Sequence, residues 1–200
     1  MDEKITDSSQ KDIYTLYTQF LKNDKFSSSA LKKISATNPT KSVGSSANDF
    51  KILQEIGKGA SSIVYKIQAL TDNSIYAMKV IPIKHLKPHQ QKEALVEVFI
   101  LKKIQHENII KFYDSFIEDD KLFIITECAE QGDLYSLIRN QQKKKMYVPE
   151  KRIWRFLWHL CLAALHLHVH NVIHGDIKAL NIFLTKDRIL KVFWLFNVVG

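Results

Sequence analysis

Two cysteines, Cys128 and Cys161, are all that this 200-residue chain contains. Both stand in apolar contexts and at no metal-ligand spacing, so they read as reduced thiols rather than a disulfide. Long apolar runs are also missing. None approaches the roughly 20 residues of a membrane span, and the opening MDEKITDSSQ offers no apolar stretch for a signal peptide. The expectations that follow are a cytoplasmic address and no membrane partner. No internal repeat is present. Basic residues outnumber acidic ones, with a formal net charge of +8, yet they are spread along the chain and only Lys143 to Lys145 form a dense run. That run reads as a solvated loop, so no nucleic-acid partner is expected, only a mild preference for acidic surfaces. A chain that is 46% hydrophobic and 25% charged is composed like a globular protein with a core to bury.

Residues 1–48 are rich in Ser, Thr, Asn and Lys and read as a flexible leader. Within it Ile13, Leu16, Tyr17, Phe20 and Leu21 fall at i, i+3, i+4, i+7 and i+8, which predicts one amphipathic helix, read first as a marginal helix packed loosely on the domain and second as a surface for a protein partner. From Asp49 the texture changes to short β-type runs, FKILQEIG, SSIVYKIQAL and SIYAMKVIPI, with TDN turning between the last two. A helical pattern follows in HQQKEALVEVFILKKIQ. Two more strands, joined at EDD, then lie in IIKFYDSFIEDDKLFIITECA. GDLYSLIRNQQ and PEKRIWRFLWHLCLAALHLHVHN read as helices, with Pro149 near the start of the second. Strands with one helix followed by helices predict an α+β fold in two lobes.

Three constellations carry chemistry. Gly57 and Gly59 sit in IGKGASSIV between two strand-like runs, where glycine lets the backbone bend and approach a ligand. Ser62 stands where a third glycine would complete GxGxxG, and a strand-loop-strand setting argues against a Rossmann fingerprint, which needs a following helix. Lys79 lies on a predicted strand and Glu97 on the next helix. Each alone reads as a surface charge, whereas together they can hold an ammonium against phosphates in a partly desolvated cleft. Finally, VIHGDIKALNIF packs polar groups between apolar runs. Asp176 and Asn181 there could merely cap a turn. Following the glycine loop and the Lys79 and Glu97 pair in this order, the catalytic reading is the stronger one. Asp176 accepts a proton, Lys178 steadies phosphoryl charge and Asn181 offers an amide oxygen to a metal. His166 and His170, at i, i+4, have the spacing of zinc ligands, but no nearby carboxylate or cysteine completes a site, and they read as a helix end.

In GKGASSIV, AMK, HENII and HGDIKALN the chain resembles the eukaryotic protein kinase family from Asp49 to about Lys191. FYDSFIEDDKLFIITECAEQGDLYSLI and VPEKRIWRFLWHLCLAALHLH resemble its NIMA-related serine/threonine members, and Lys178, two residues after Asp176, fits the serine/threonine type. The resemblance implies a β-rich N-lobe at about 49–126, a hinge at 127–132 and the start of a helical C-lobe at 133–200. It implies ATP and Mg2+ as cofactors, a protein substrate with Ser or Thr, and a cytoplasmic setting that extends to cytoskeletal or ciliary roles. Gly57 and Gly59 would cover the phosphates and Lys79 with Glu97 would clamp them. Val64 and Ala77 would lie above the base and Phe183 below it. The backbone of Glu127 to Ala129 would bind adenine beside the gatekeeper Thr126. Leu101, Phe112, His174 and Leu195 would stack between the lobes. Asp176 would be the base, helped by Lys178, and Asn181 a metal ligand.

The chain departs from this pattern in three places. Gly175 replaces the arginine of HRD, which alters regulation more than chemistry, and Ala179 and Leu180 look tolerable. After ILKV, where relatives read GDLG or GDFG, this chain has Phe193, Trp194, Leu195 and Phe196. Trp194 takes the place of a magnesium-binding aspartate, and an indole offers no hard oxygen. Loss of about 3 to 5 kcal/mol of transition-state stabilisation would slow transfer by roughly two to four orders of magnitude. The expectation is therefore a truncated kinase domain with impaired transfer, or a scaffold that binds nucleotide weakly. Because the match fails abruptly after Val192, a misread or alternatively spliced ending is a third expectation. The apolar helix around Trp154 to Leu165 is expected to expose part of its surface.

Overall fold

The computed structural model describes residues 43–59, 62–84 and 86–193, without the side chains of 92 and 93. The expected leader helix at Ile13 to Leu21, and Trp194, Leu195 and Phe196, lie outside the described residues. The architecture is α+β, as the order of patterns predicts. Five antiparallel strands are β1 (Phe50–Lys58), β2 (Ile63–Ala69), β3 (Ile75–Pro82), β4 (Phe112–Glu118) and β5 (Lys121–Glu127), in sheet order β1-β2-β3-β5-β4. Helix α1 (Pro88–Lys103) connects β3 to β4; α2 (Leu134–Lys143) and α3 (Glu150–Val169) follow β5. A small hairpin of β6 (Ile182–Leu184) and β7 (Leu190–Val192) closes the described chain.

Turn chemistry sets the strand pairing. Between β4 and β5, Asp119 and Asp120 take φ of 48° and 57°, the left-handed pair that a two-residue hairpin needs and that aspartate tolerates. In the TDN turn, Asn73 does the same at φ 59°.

Alternation along β3 divides the core. Tyr76 and Met78 pack with Phe50, Ile67, Phe123 and Ile125 on one face of the sheet. Lys79 and Ile81 belong to the other face, where Leu122 and Ile124 meet the apolar stripe of α1. On α1 that stripe runs through Ala94, Val98 and Leu101, and Glu97 falls within it. Asp133 caps α2 by accepting a hydrogen bond from Ser136 N at 2.7 Å. Helix α3 ends where Asn171 turns left-handed at φ 56°. It buries Phe156, Ala163 and Leu167. Trp154 and Trp158 stay 62% and 63% exposed, so the apolar surface expected on this helix is present.

Candidate active site

The register of the sheet builds one wall of a cleft. Lys79 faces Val64 across β2, and Ala77 faces Lys66 on β2 and Thr126 on β5. Residues directly opposite in a ladder share a face, and i, i+2 neighbours do too, so these side chains all point to one side. They line a cavity of about 220 Å³ together with Ile56, Ile110, Glu127, Cys128, Ala129, Phe183 and Phe193.

Lys79 is 5% exposed. Its Nζ donates to Glu97 Oε1 at 2.8 Å, and the two side chains are 6% and 4% exposed. Neither charge would tolerate such burial alone, because several kcal/mol of hydration is lost per ion. The pair therefore fixes α1 against β3 and presents an ammonium to the cavity.

Outside this lining, the turn after α3 brings Asp176, Lys178 and Asn181 together. Lys178 Nζ lies 2.7 Å from Asp176 Oδ2. Asn181 Nδ2 donates to the same oxygen at 2.8 Å and to the Asp176 carbonyl at 2.9 Å. The Lys178 hydrogen bond is the main reason that the Asp176 carboxyl is held below the usual carboxylate range, with Asn181 adding to it. An ionised, oriented carboxylate of this kind can accept a proton from a hydroxyl. Buried His174 organises the turn: Nδ1 accepts from Asp176 N at 3.2 Å, which leaves Nε2 to donate to the Phe193 carbonyl at 3.2 Å. Burial lowers its pKa, which favours the neutral ring.

Among the expected residues, Val64, Ala77, Lys79, Glu127, Ala129 and Phe183 line the cavity. Glu97 stands behind Lys79 rather than in the lining. Gly57 and Gly59 are outside it as well: Gly57 pairs with Val64 in the ladder and Gly59 N donates to Ser62 O at 2.8 Å. Asp176, Lys178 and Asn181 form their own cluster, joined to the cavity through Phe193, whose N–H donates to the Asn181 carbonyl at 2.8 Å. Leu101, Phe112 and His174 are all buried. Burial pushes the Cys128 thiol upward, which keeps it protonated.

Magnesium is a poor fit to these residues. It requires several hard oxygens, and among the described residues no three of His, Cys, Asp and Glu come together as a metal site. Asn181 turns its amide nitrogen to Asp176, so its side chain has one oxygen to offer.

Sequence reasoning missed two features. Lys191 Nζ reaches Glu127 Oε2 at 2.8 Å, and that oxygen also accepts from Lys111 N at 3.1 Å, so the Glu127 side chain ties β7 to the end of β5. A lysine flanked by apolar residues in ILKV was the available signal, since burial there demands a counter-charge. The other is Phe193, which reaches the cavity edge-on to Phe183, at 5.9 Å between centroids and 81° between planes.

The protein kinase domain model matches residues 50–193. Mouse serine/threonine-protein kinase Nek1 is 36% identical over 135 residues, which is 68% of this chain and 11% of that protein. Human serine/threonine-protein kinase Nek5 is 35% identical over 139 residues, 69% of this chain and 19% of its own length. The probable serine/threonine-protein kinase nek2 of Dictyostelium discoideum is 31% identical over 150 residues, 72% and 36% respectively. The chain thus matches only 11% to 36% of the length of these relatives.

Proposed function

Since the chain belongs to the protein kinase domain family, we propose that its cleft binds ATP and that it is a serine/threonine-type kinase unit with impaired phosphoryl transfer. Residues 49–126 serve as the N-lobe, 127–132 as the hinge and 133–200 as the start of the C-lobe. The observation that carries the reading is the buried Lys79 and Glu97 pair, which points an ammonium into a cavity otherwise lined for a flat base. Val64 and Ala77 cover the base, Phe183 supports it, and the backbone at Glu127 to Ala129 supplies its hydrogen-bonding edge. Gly57 and Gly59 let the β1 to β2 turn approach the phosphates. Lys79 draws the triphosphate to itself. Asp176 accepts the proton of a Ser or Thr hydroxyl on a protein substrate, and Lys178 offsets the charge that develops beside it. When bound, magnesium supplies charge neutralisation between phosphates in this family. Here Asn181 would be its surviving ligand, so the donor set predicts weak loading and slow transfer.

A scaffold that holds nucleotide without transfer is the second reading, favoured by Trp194 at the metal-binding position. Calorimetric titration of the purified chain with ATP, with and without magnesium, tests both against a transfer assay on a protein acceptor. Measurable ATP binding is expected, with only a small gain from magnesium and slow transfer. Absence of any nucleotide binding would defeat the proposal, and magnesium-strengthened binding with brisk transfer would defeat both the scaffold and the impairment.

A further inference from the structure

We propose that Phe193 is a specificity-determining wall of the cleft: it fits the cavity to purine nucleotides bare along that wall and shuts out purines that carry an aromatic substituent there. The inference rests on the nucleotide reading above. At the end of β7 this chain places a benzyl group, that of Phe193.

The backbone dictates where that ring goes. Val192 N donates to the Asn108 carbonyl at 2.8 Å, and Ile110 N donates to the Val192 carbonyl at 3.0 Å, so β7 delivers residue 193 beside Ile110. Both backbone polar groups of Phe193 are then engaged, N–H to Asn181 O and carbonyl to His174 Nε2. Phe193 is 8% exposed and lines the cavity, and its ring meets Phe183 in an edge-to-face contact. A ring seated this way among close-packed neighbours cannot step aside for a ligand without leaving its rotamer or breaking those two hydrogen bonds. The two rings together make an apolar support suited to a flat π-system. Their cost is space: a substituent directed at Phe193 meets carbon, not a void.

The test is binding of adenosine and of adenosines carrying a benzyl group at N6, C2 or C8, to the unaltered chain and to Phe193→Gly. The variant removes a benzyl-sized group, so at least one benzyl analogue should gain about tenfold or more in affinity relative to adenosine. Phe193→Leu keeps a buried side chain on the same backbone ties and guards against loss of fold, checked by thermal melting. It should show the same shift in smaller measure. If adenosine binds and no analogue changes its ratio to adenosine in either variant, Phe193 is not the wall, although the nucleotide reading stands. If neither adenosine nor ATP binds any of the proteins, the nucleotide reading fails and the inference with it.

Discussion

The cavity wall and the turn after α3 each hold a lysine against a carboxylate at nearly the same distance, 2.8 Å for Lys79 and Glu97 and 2.7 Å for Lys178 and Asp176. Their surroundings differ. On the sheet side the partners are 6% and 4% exposed; on the loop side they are 45% and 25% exposed. Distance alone would rank the pairs as equals, whereas burial makes the first an obligate unit and the second an adjustable one. A buried charge must keep its partner because water cannot replace it. A charge in the loop trades its partner for water at little cost.

The sharpest way to break this comparison is to remove one lysine from each side. Lys79→Met strands the Glu97 carboxylate between β3 and α1, and urea unfolding should show a loss of about 3–5 kcal/mol. Nucleotide binding should fall with it. A loss below about 1 kcal/mol would place Glu97 in contact with water and remove the distinction.

Like charges extend the comparison to α3. The His166 ring lies 4.4 Å from that of His170 and 4.8 Å from that of His106, and His170 Nδ1 donates to the His166 carbonyl at 2.7 Å. Burial first, then the charges of His170 and His106, lower the His166 pKa from 6.5 to about 4. The unfolded chain therefore binds the extra proton more readily than the folded one. Stability is fully present above pH 6.5, declines on acidification toward about pH 4 and then levels off for this group. Melting temperature followed across that window should trace the decline, and His166→Phe should flatten it. An unchanged slope in the variant would assign the acid loss to other groups.

The smallest effect belongs to Lys178→Ala. Its exposed pair should contribute about 0–1 kcal/mol to stability, shrinking further as salt is raised. A cost comparable with that of Lys79→Met would show that exposure does not separate the two pairs.

Much of the fold was legible in the sequence. Short β-type runs punctuated by turns marked β1 to β5, and EDD marked the hairpin because aspartate accepts the left-handed conformation seen at Asp119 and Asp120. The helical stripes marked α1 to α3. The short β6 and β7 strands were not legible, since three residues carry too little periodicity. In the site, the pairing of Lys79 with Glu97 could be anticipated from chemical need in a desolvated cleft. The tie between Lys191 and Glu127 was half legible, because ILKV signals a buried lysine that needs a counter-charge while the identity of its partner is a long-range relation that no local pattern encodes. The contact of Phe193 with Phe183 was not legible, for the same long-range reason. The placement of Gly57 and Gly59 outside the cavity lining also depends on the strand register.

The central claim is that the Lys79 ammonium faces a bound triphosphate. An acyl-phosphate derivative of ATP, which transfers its acyl group to an amine beside the phosphates, tests this directly when the modified peptide is identified by mass spectrometry. The account predicts acylation at Lys79, suppressed by excess ATP. Labelling confined to exposed lysines such as Lys143 to Lys145, unaffected by ATP and absent from Lys79, would contradict it.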